Sequence, residues 1–275
     1  MRPIPQRNQL FDLHMHSDRS DGRFSPEEVL ERAVEGGLQV VALTDHDLIG
    51  AVDPGLHRIG TRDLHVLAGA EISGTHDGRE FHLLVYFPGE PPAGFVDFCS
   101  DQVKARARRY DAAVHNIALP GVASSPESAR DGHLALTRLH LARALVDAGH
   151  ADDLGDAFAR YASHENVPRL DLPFTECIRI ARGFGGVTSW AHPPKEAVLA
   201  HLDAFVEAGL QGLEGLRPAL KRADRKFYKQ AAKRHGLFLT GGSDWHGWHP
   251  SQRLGLFQLR GADVAGLLEA LEAAA

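Results

Sequence analysis

The sequence predicts an α/β fold in which strands and helices alternate around one closed or nearly closed barrel of parallel strands. Three observations lead there. Short apolar runs alternate with amphipathic helical stretches along most of the chain. The first two runs and the helix between them form a β-α-β unit, a connection that favours parallel strands. A length of 275 residues also matches a single α/β barrel, so no second large domain is required.

The first strand is the apolar run that begins near Leu10 and ends in His14-Met15-His16, and side chains two apart on a strand share a face. Asp21 follows in a polar turn closed by Gly22. Ser25-Pro26-Glu27-Glu28 then supplies an N-cap serine, a proline at the first helical position and a capping-box glutamate. Val29, Leu30, Ala33 and Val34 recur at helical spacing until Gly36-Gly37 stops the helix. A second strand, 40–43, leads into Thr44-Asp45-His46-Asp47. A third, 65–73, carries Glu71 near its end, and His76-Asp77-Gly78-Arg79 turns the chain into a fourth, 80–87. His82 stands on that strand among Phe81, Leu83 and Leu84; taken singly, it reads as a hydrogen-bonded core histidine.

Residues 101–118 are helical by pattern, and Lys104, Arg106, Arg108 and Arg109 read as a solvated face. From 119 to 172 the strand-helix rhythm is lost, which predicts a small helical insertion with helices over 136–148 and 153–161. Thr137-Arg138-Leu139-His140 opens the first of these, where free backbone N–H groups and an arginine can face an anion. The rhythm resumes with a helix at 175–184, a strand at 186–192 ending in His192, a helix at 195–209 and a strand at 212–216 containing Glu214. A basic helix, 219–235, reads as a solubilising face; the run from 238 then ends in Gly241-Gly242-Ser243-Asp244-Trp245-His246. A strand at 254–259 and a helix at 263–275 close the chain. The predicted organisation is therefore a barrel formed by 1–118 and 173–275, interrupted by an insertion at 119–172 that caps the substrate.

Thirty Lys plus Arg against thirty-six Asp plus Glu give a net charge of −6, which excludes a broad electrostatic grip on nucleic acid but not a small anionic substrate. Cys99 and Cys177 are isolated and read as core residues rather than thiolate ligands. The N-terminal stretch lacks the apolar core of a secretory signal and no run is long enough to span a bilayer, so a soluble, cytoplasmic protein without a membrane partner is expected.

A single His-x-His is often a hydrogen-bonded surface pair, but here the pattern repeats. His14, His16, Asp21, His46, Glu71, His82, His192, Asp244 and His246 all stand on or just after apolar runs. In a barrel the C-terminal strand ends converge on one face. Nine N and O donors without a thiolate are too many for one tetrahedral zinc and suit two or three divalent ions sharing a carboxylate.

The segments DLHMHSDRSDG, ALTDHD, GAEIS, the isolated His82, AHP and GSDWH resemble, in order, the motifs of the PHP family, the polymerase and histidinol phosphatase superfamily. The resemblance spans nearly the whole chain. It implies a distorted (β/α)7 TIM-like barrel with a trinuclear site. His14, His16, Glu71 and Asp244 would hold one ion, Glu71, His82 and His192 a second, and Asp21, His46 and His246 a third. Manganese is expected, with iron or zinc as alternatives that the same ligands accept.

Thr137-Arg138-Leu139-His140 is similar to a motif of the stand-alone bacterial branch related to nucleoside 3′,5′-bisphosphate phosphatases, which also acts as a 5′-to-3′ exoribonuclease on short RNA. Two departures stand out: His164-Glu165-Asn166-Val167-Pro168-Arg169 where the branch has glycine and a basic residue, and Lys195 where it often has arginine. The resemblance implies hydrolysis of a nucleotide phosphomonoester, best a nucleoside 3′,5′-bisphosphate, or of short 5′-phosphorylated RNA. Arg138, and secondarily Lys195, are phosphate-clamp candidates; His140 either approaches the substrate or packs the insertion. A histidinol-phosphate-type phosphatase and a non-catalytic metal-binding module are the alternatives. No obligate protein partner is expected.

Overall fold

The computed structural model describes residues 8–163, 166–218 and 220–275. The N-terminal residues 1–7, His164 and Glu165 of the insertion and the start of the basic helix predicted at Ala219 lie outside them. In chain order the elements are β1 (Leu10–Met15), α1 (Pro26–Glu35), β2 (Val40–Leu43), β3 (Gly55–Ile59), β4 (Arg62–His76) and β5 (Arg79–Phe87). Next come α2 (Ala93–Ile117), α3 (Glu127–Arg130), α4 (Arg138–Asp147), α5 (Leu154–Arg160), α6 (Phe174–Gly183) and β6 (Val187–Trp190). The chain finishes with α7 (Lys195–Glu207), β7 (Gly212–Leu216), α8 (Arg222–His235), β8 (Phe238–Gly241), β9 (Leu259–Arg260) and α9 (Ala265–Ala274).

The opening unit forms as its residues dictate. Ser25 caps α1, its hydroxyl accepting from the Glu28 N–H while the Glu28 carboxylate accepts from Ser25 N–H, and Pro26 stands at the start of the helix. Val29, Leu30, Ala33 and Val34 bury against Val41, Leu43 and Val66 of the sheet.

The strands form a barrel-like sheet in the order β8-β7-β6-β5-β4-β2-β1-β9, with β3 paired to β4 off this path. The barrel is mixed rather than all-parallel, beginning with the hairpin that the Asp77-Gly78 turn predicts. β5 runs antiparallel to both β4 and β6, and β9 antiparallel to β1. The cause is local: Asp77 and Gly78 both adopt left-handed φ, 48° and 70°, making a two-residue hairpin turn that joins β4 to β5 without a crossover. β3, not anticipated from the sequence, is a second hairpin arm on β4.

Backbone bonds between β1 and the segment after β8 close the ring at one end: Asp244 N–H donates to His14 O at 2.8 Å, and His16 N–H to Trp245 O at 2.9 Å. This approach requires glycine at 242, where a Cβ would stand 2.3 Å from the Cβ of His14. Inside the barrel, the Tyr86 hydroxyl on β5 donates to Leu13 O on β1, two strands that are not neighbours in the sheet. Phe11, Leu13, Leu84 and Val187 fill that interior together with Leu267, Leu268 and Leu271 of α9. A separate apolar core joins α3, α4 and α5 to the second half of α2 through Ala107, Tyr110, Ala129, Leu141, Leu145 and Ala157. Cys99 and Cys177 are buried and free, as core residues.

Among the described residues no helix is long and apolar enough to cross a membrane.

Candidate metal centre

All nine sequence-predicted ligands converge at the end of the barrel where β1 meets the segment after β8. The β1–β2 pairing shifts register between Asp12 and Met15, and His14 and His16 are both fully buried. Glu71 stands well inside β4, and His82 near the start of β5, rather than at strand ends. Reversal of β5 still brings His82 to the correct rim, because Ser73 pairs with His82 and Glu71 lies two residues earlier on the same face.

Glu71 is the hub. Its Oε2 lies 3.4 Å from the Nε2 atoms of both His14 and His16 and 3.1 Å from His46 Nδ1. Its Oε1 lies 2.9 Å from His192 Nε2 and 3.1 Å from His82 Nδ1. Asp244 Oδ1 faces His14 and His16 at 3.4 and 3.3 Å, and Asp21 meets His246 Nε2 at 3.1 Å and His46 Nε2 at 3.6 Å. His192 and Asp244 reach these positions with left-handed φ of 29° and 54°, a conformation that costs non-glycine residues free energy and recurs at functional sites.

The donor set fits divalent cations. His14 Nε2, His16 Nε2, Asp21 Oδ1, His46 Nδ1 and Glu71 Oε2 are buried without a hydrogen-bond partner. Each such atom costs about 1–3 kcal/mol unless something answers it, and several ligand groups offer atoms within 4.8 Å of one another. Left to themselves, these groups neutralise one another. Burial alone would lower the His14 pKa, yet Glu71, Glu214 and Asp244 outweigh it and hold it well above the ordinary imidazole value. Burial would likewise raise Glu71, but His14, His82 and His46 hold its carboxyl well below the usual range.

Residues behind the ligands aim them. The fully buried Glu214 carboxylate lies 2.9 Å from His14 Nδ1 and accepts the His192 backbone N–H at 2.6 Å. His246 Nδ1 donates to Asp244 O, leaving Nε2 to face Asp21. Asp45 accepts from Ser17 N–H, the Ser17 hydroxyl and the Ser20 hydroxyl, holding the turn between His16 and Asp21. Glu80 lies 3.6 Å from His82 Nε2 and 3.0 Å from Arg109. Burial would raise the Glu80 carboxyl, but the His82 hydrogen bond and Arg109 hold it well below its ordinary range. Such outer partners set ligand tautomer and orientation.

The solvated-face reading of α2 is corrected for two of its arginines. Arg106 is 3% exposed; it donates to Asp47, to the Ser73 hydroxyl and to Leu136 O. Arg109 is also nearly buried, and its Nε has no hydrogen-bond partner. The signal was their spacing, three apart and so on one helix face. Glu214 had a signal too, an acid inside a short strand.

A groove beside the cluster is lined by Asp21, His82, Arg106, Arg109, Arg138 and Phe158. Arg138 opens α4, whose N-cap Thr137 donates its backbone N–H to His140 Nδ1. Burial pushes the His140 pKa down to about 4. Lys195 stands at the start of α7, ion-paired with Asp224 and absent from the lining of this groove.

The PHP domain profile matches residues 12–120. The 3′,5′-nucleoside bisphosphate phosphatase of Chromobacterium violaceum is 30% identical over 248 residues, covering 86% of this chain and 87% of that protein. The chain belongs to the PHP family. A second relative, the 5′-3′ exoribonuclease Rnm of Escherichia coli, is 27% identical over 279 residues, 96% of this chain and 94% of that protein. A solved Bifidobacterium adolescentis structure, described as that of a metal-dependent phosphoesterase, superposes with a TM-score of 0.75 at 29% identity, covering 94% of this chain and 96% of that one. This PHP protein is accordingly a metal-dependent phosphoesterase, a hydrolase whose cluster of His, Asp and Glu suits metal binding.

Proposed function

We propose that the enzyme removes a phosphate from a nucleotide, with nucleoside 3′,5′-bisphosphates as the best substrates and short 5′-phosphorylated RNA as a second substrate of the same site. The observation that carries this reading is the placement of Arg109, Arg138 and Phe158 around one groove beside the metal ligands. A bisphosphate needs two anion sites, and the cluster supplies only one. The two arginines offer the second, and Phe158, partly exposed, offers an apolar face to a base. The names of the bisphosphate phosphatase and exoribonuclease relatives point the same way.

Two or three divalent ions, manganese foremost, held by the nine ligands would lower the pKa of a water and neutralise phosphoryl oxygens during transfer. The protein's own groups supply position. Arg138 offers a bidentate fork to the second phosphate, a geometry that lysine lacks. Lys195 could join it only by leaving Asp224. His140, neutral at physiological pH and accepting at Nδ1, presents an Nε2–H donor.

The test is phosphate release by manganese-loaded protein from adenosine 3′,5′-bisphosphate, 5′-AMP and histidinol phosphate. The bisphosphate should be preferred, and Arg138→Ala should lower its kcat/KM roughly ten- to hundredfold, the worth of a charge-assisted hydrogen bond. Preference for histidinol phosphate would overturn the substrate reading. Absence of turnover despite bound metal would instead support a binding module.

A further inference from the structure

The tip of the β4–β5 hairpin carries another set of ligand-type side chains, apart from the nine already described. His76 ends β4, Asp77 is the first turn residue, and His201 projects from α7. Asp77 Oδ2 lies 3.8 Å from His76 Nε2 and 3.7 Å from His201 Nδ1, and the three residues offer ligand atoms all within 4.8 Å of one another. The two imidazoles are positioned by packing. They meet edge to face at 4.9 Å, and both contact the Phe205 ring, at 5.0 and 6.0 Å between centroids. The side chains of His76 and His201 are 25% and 14% exposed, whereas that of Asp77 is 70% exposed and open to solvent.

We propose that His76, Asp77 and His201 form a separate site for one divalent transition-metal ion of the zinc or nickel class. Ligands placed 2.0–2.1 Å from a tetrahedral zinc stand about 3.3 Å apart; the two Asp77–imidazole distances, 3.8 and 3.7 Å, lie close to that spacing, and all three ligand atoms fall within 4.8 Å of one another. Two imidazoles and one carboxylate favour zinc, nickel or copper over magnesium or calcium. Three protein ligands leave a coordination position for water. By strand register the tip lies three residue pairs beyond His82, roughly 10 Å along the hairpin, so the site is distinct from the cluster. An ion there would tie the hairpin carrying Glu71 and His82 to α7, which follows directly from His192. The Arg79–Glu196 ion pair already links the same two elements at 3.5 Å.

The experiment is equilibrium dialysis of chelator-stripped protein against a fixed micromolar free zinc concentration, with zinc per chain counted for wild type, His201→Gln and Asp77→Asn. Glutamine keeps bulk against Phe205, and asparagine tolerates the left-handed turn, so circular dichroism should show all three proteins folded. The expected result is one zinc fewer per chain in each variant than in wild type, with manganese-dependent phosphoester hydrolysis retained. Equal zinc content in all three proteins would overturn the proposal and leave the cluster an ionic contact across the hairpin tip.

Discussion

The Glu214 carboxylate meets His14 Nδ1 at 2.9 Å with both side chains fully shielded from solvent. An acceptor there keeps a proton on Nδ1 and aims Nε2 at Glu71 and Asp244, the edge from which a metal ion would displace the second proton. Glutamine at 214 has one acceptor oxygen in place of two, so it cannot serve both His14 and the His192 backbone N–H. Glu214→Gln is expected to weaken metal binding or kcat roughly ten- to hundredfold, as outer-partner changes do at metal sites, with the circular dichroism spectrum retained. Metal content and kcat measured together check this; wild-type values for both would remove Glu214 from the positioning role.

Arg106 and Asp47 form a buried ion pair, 3% and 0% exposed, that joins α2 to the loop after β2. Removing the cation strands Asp47 and frees the Ser73 hydroxyl and Leu136 carbonyl of their donor. Arg106→Ala should destabilise the fold by about 3–5 kcal/mol, the usual cost of breaking a buried pair. Urea unfolding measures it, and a loss near zero would show that water replaces the guanidinium.

Acidity should act oppositely on the stripped protein and on metal uptake. Burial opposes charge on His82 and His246, but Glu71 and Glu80 raise the His82 pKa to about 10, and Asp21 and Asp244 raise that of His246 to about 9. The unfolded imidazole value is about 6.5, so the folded state binds these protons more tightly. Their stabilisation is complete below about pH 6.5 and is lost as pH rises through about 9 and then 10. The Tm of chelator-treated protein should fall across that window. Metal must displace the same protons, so its apparent affinity should rise with pH. A flat Tm from pH 6.5 to 10 would contradict the charge pairing.

Much of this site was legible because its ligands lie on or beside apolar runs, which periodicity reveals. The β1-α1-β2 unit was equally plain, since the Ser25 capping box and the Gly36-Gly37 stop are local signals. Strand direction is not local. An alternating run reads the same forwards and backwards; the Asp77-Gly78 turn fixed the β4–β5 hairpin, but the antiparallel pairings of β5 with β6 and of β9 with β1 join distant segments and left no local signal. The partners of Glu214 and Arg106 were hidden for a related reason. Glu214 answers a histidine 200 residues away and Arg106 an aspartate 59 residues away, separations at which no spacing rule operates.

The closure of the ring has a consequence for how the molecule comes into being. Asp12 and Ser243, 231 residues apart, meet at 2.8 Å beside the bonds that join His14 to Asp244. Contacts of such separation are late and slow to form, because a long loop must be closed before they return any free energy. On the ribosome, β1 emerges with its two histidines well before Asp244 and His246 exist as synthesised residues. The nascent chain therefore passes through a period in which its earliest candidate ligands are exposed and incomplete, and the full donor set assembles only when the segment after β8 docks on β1.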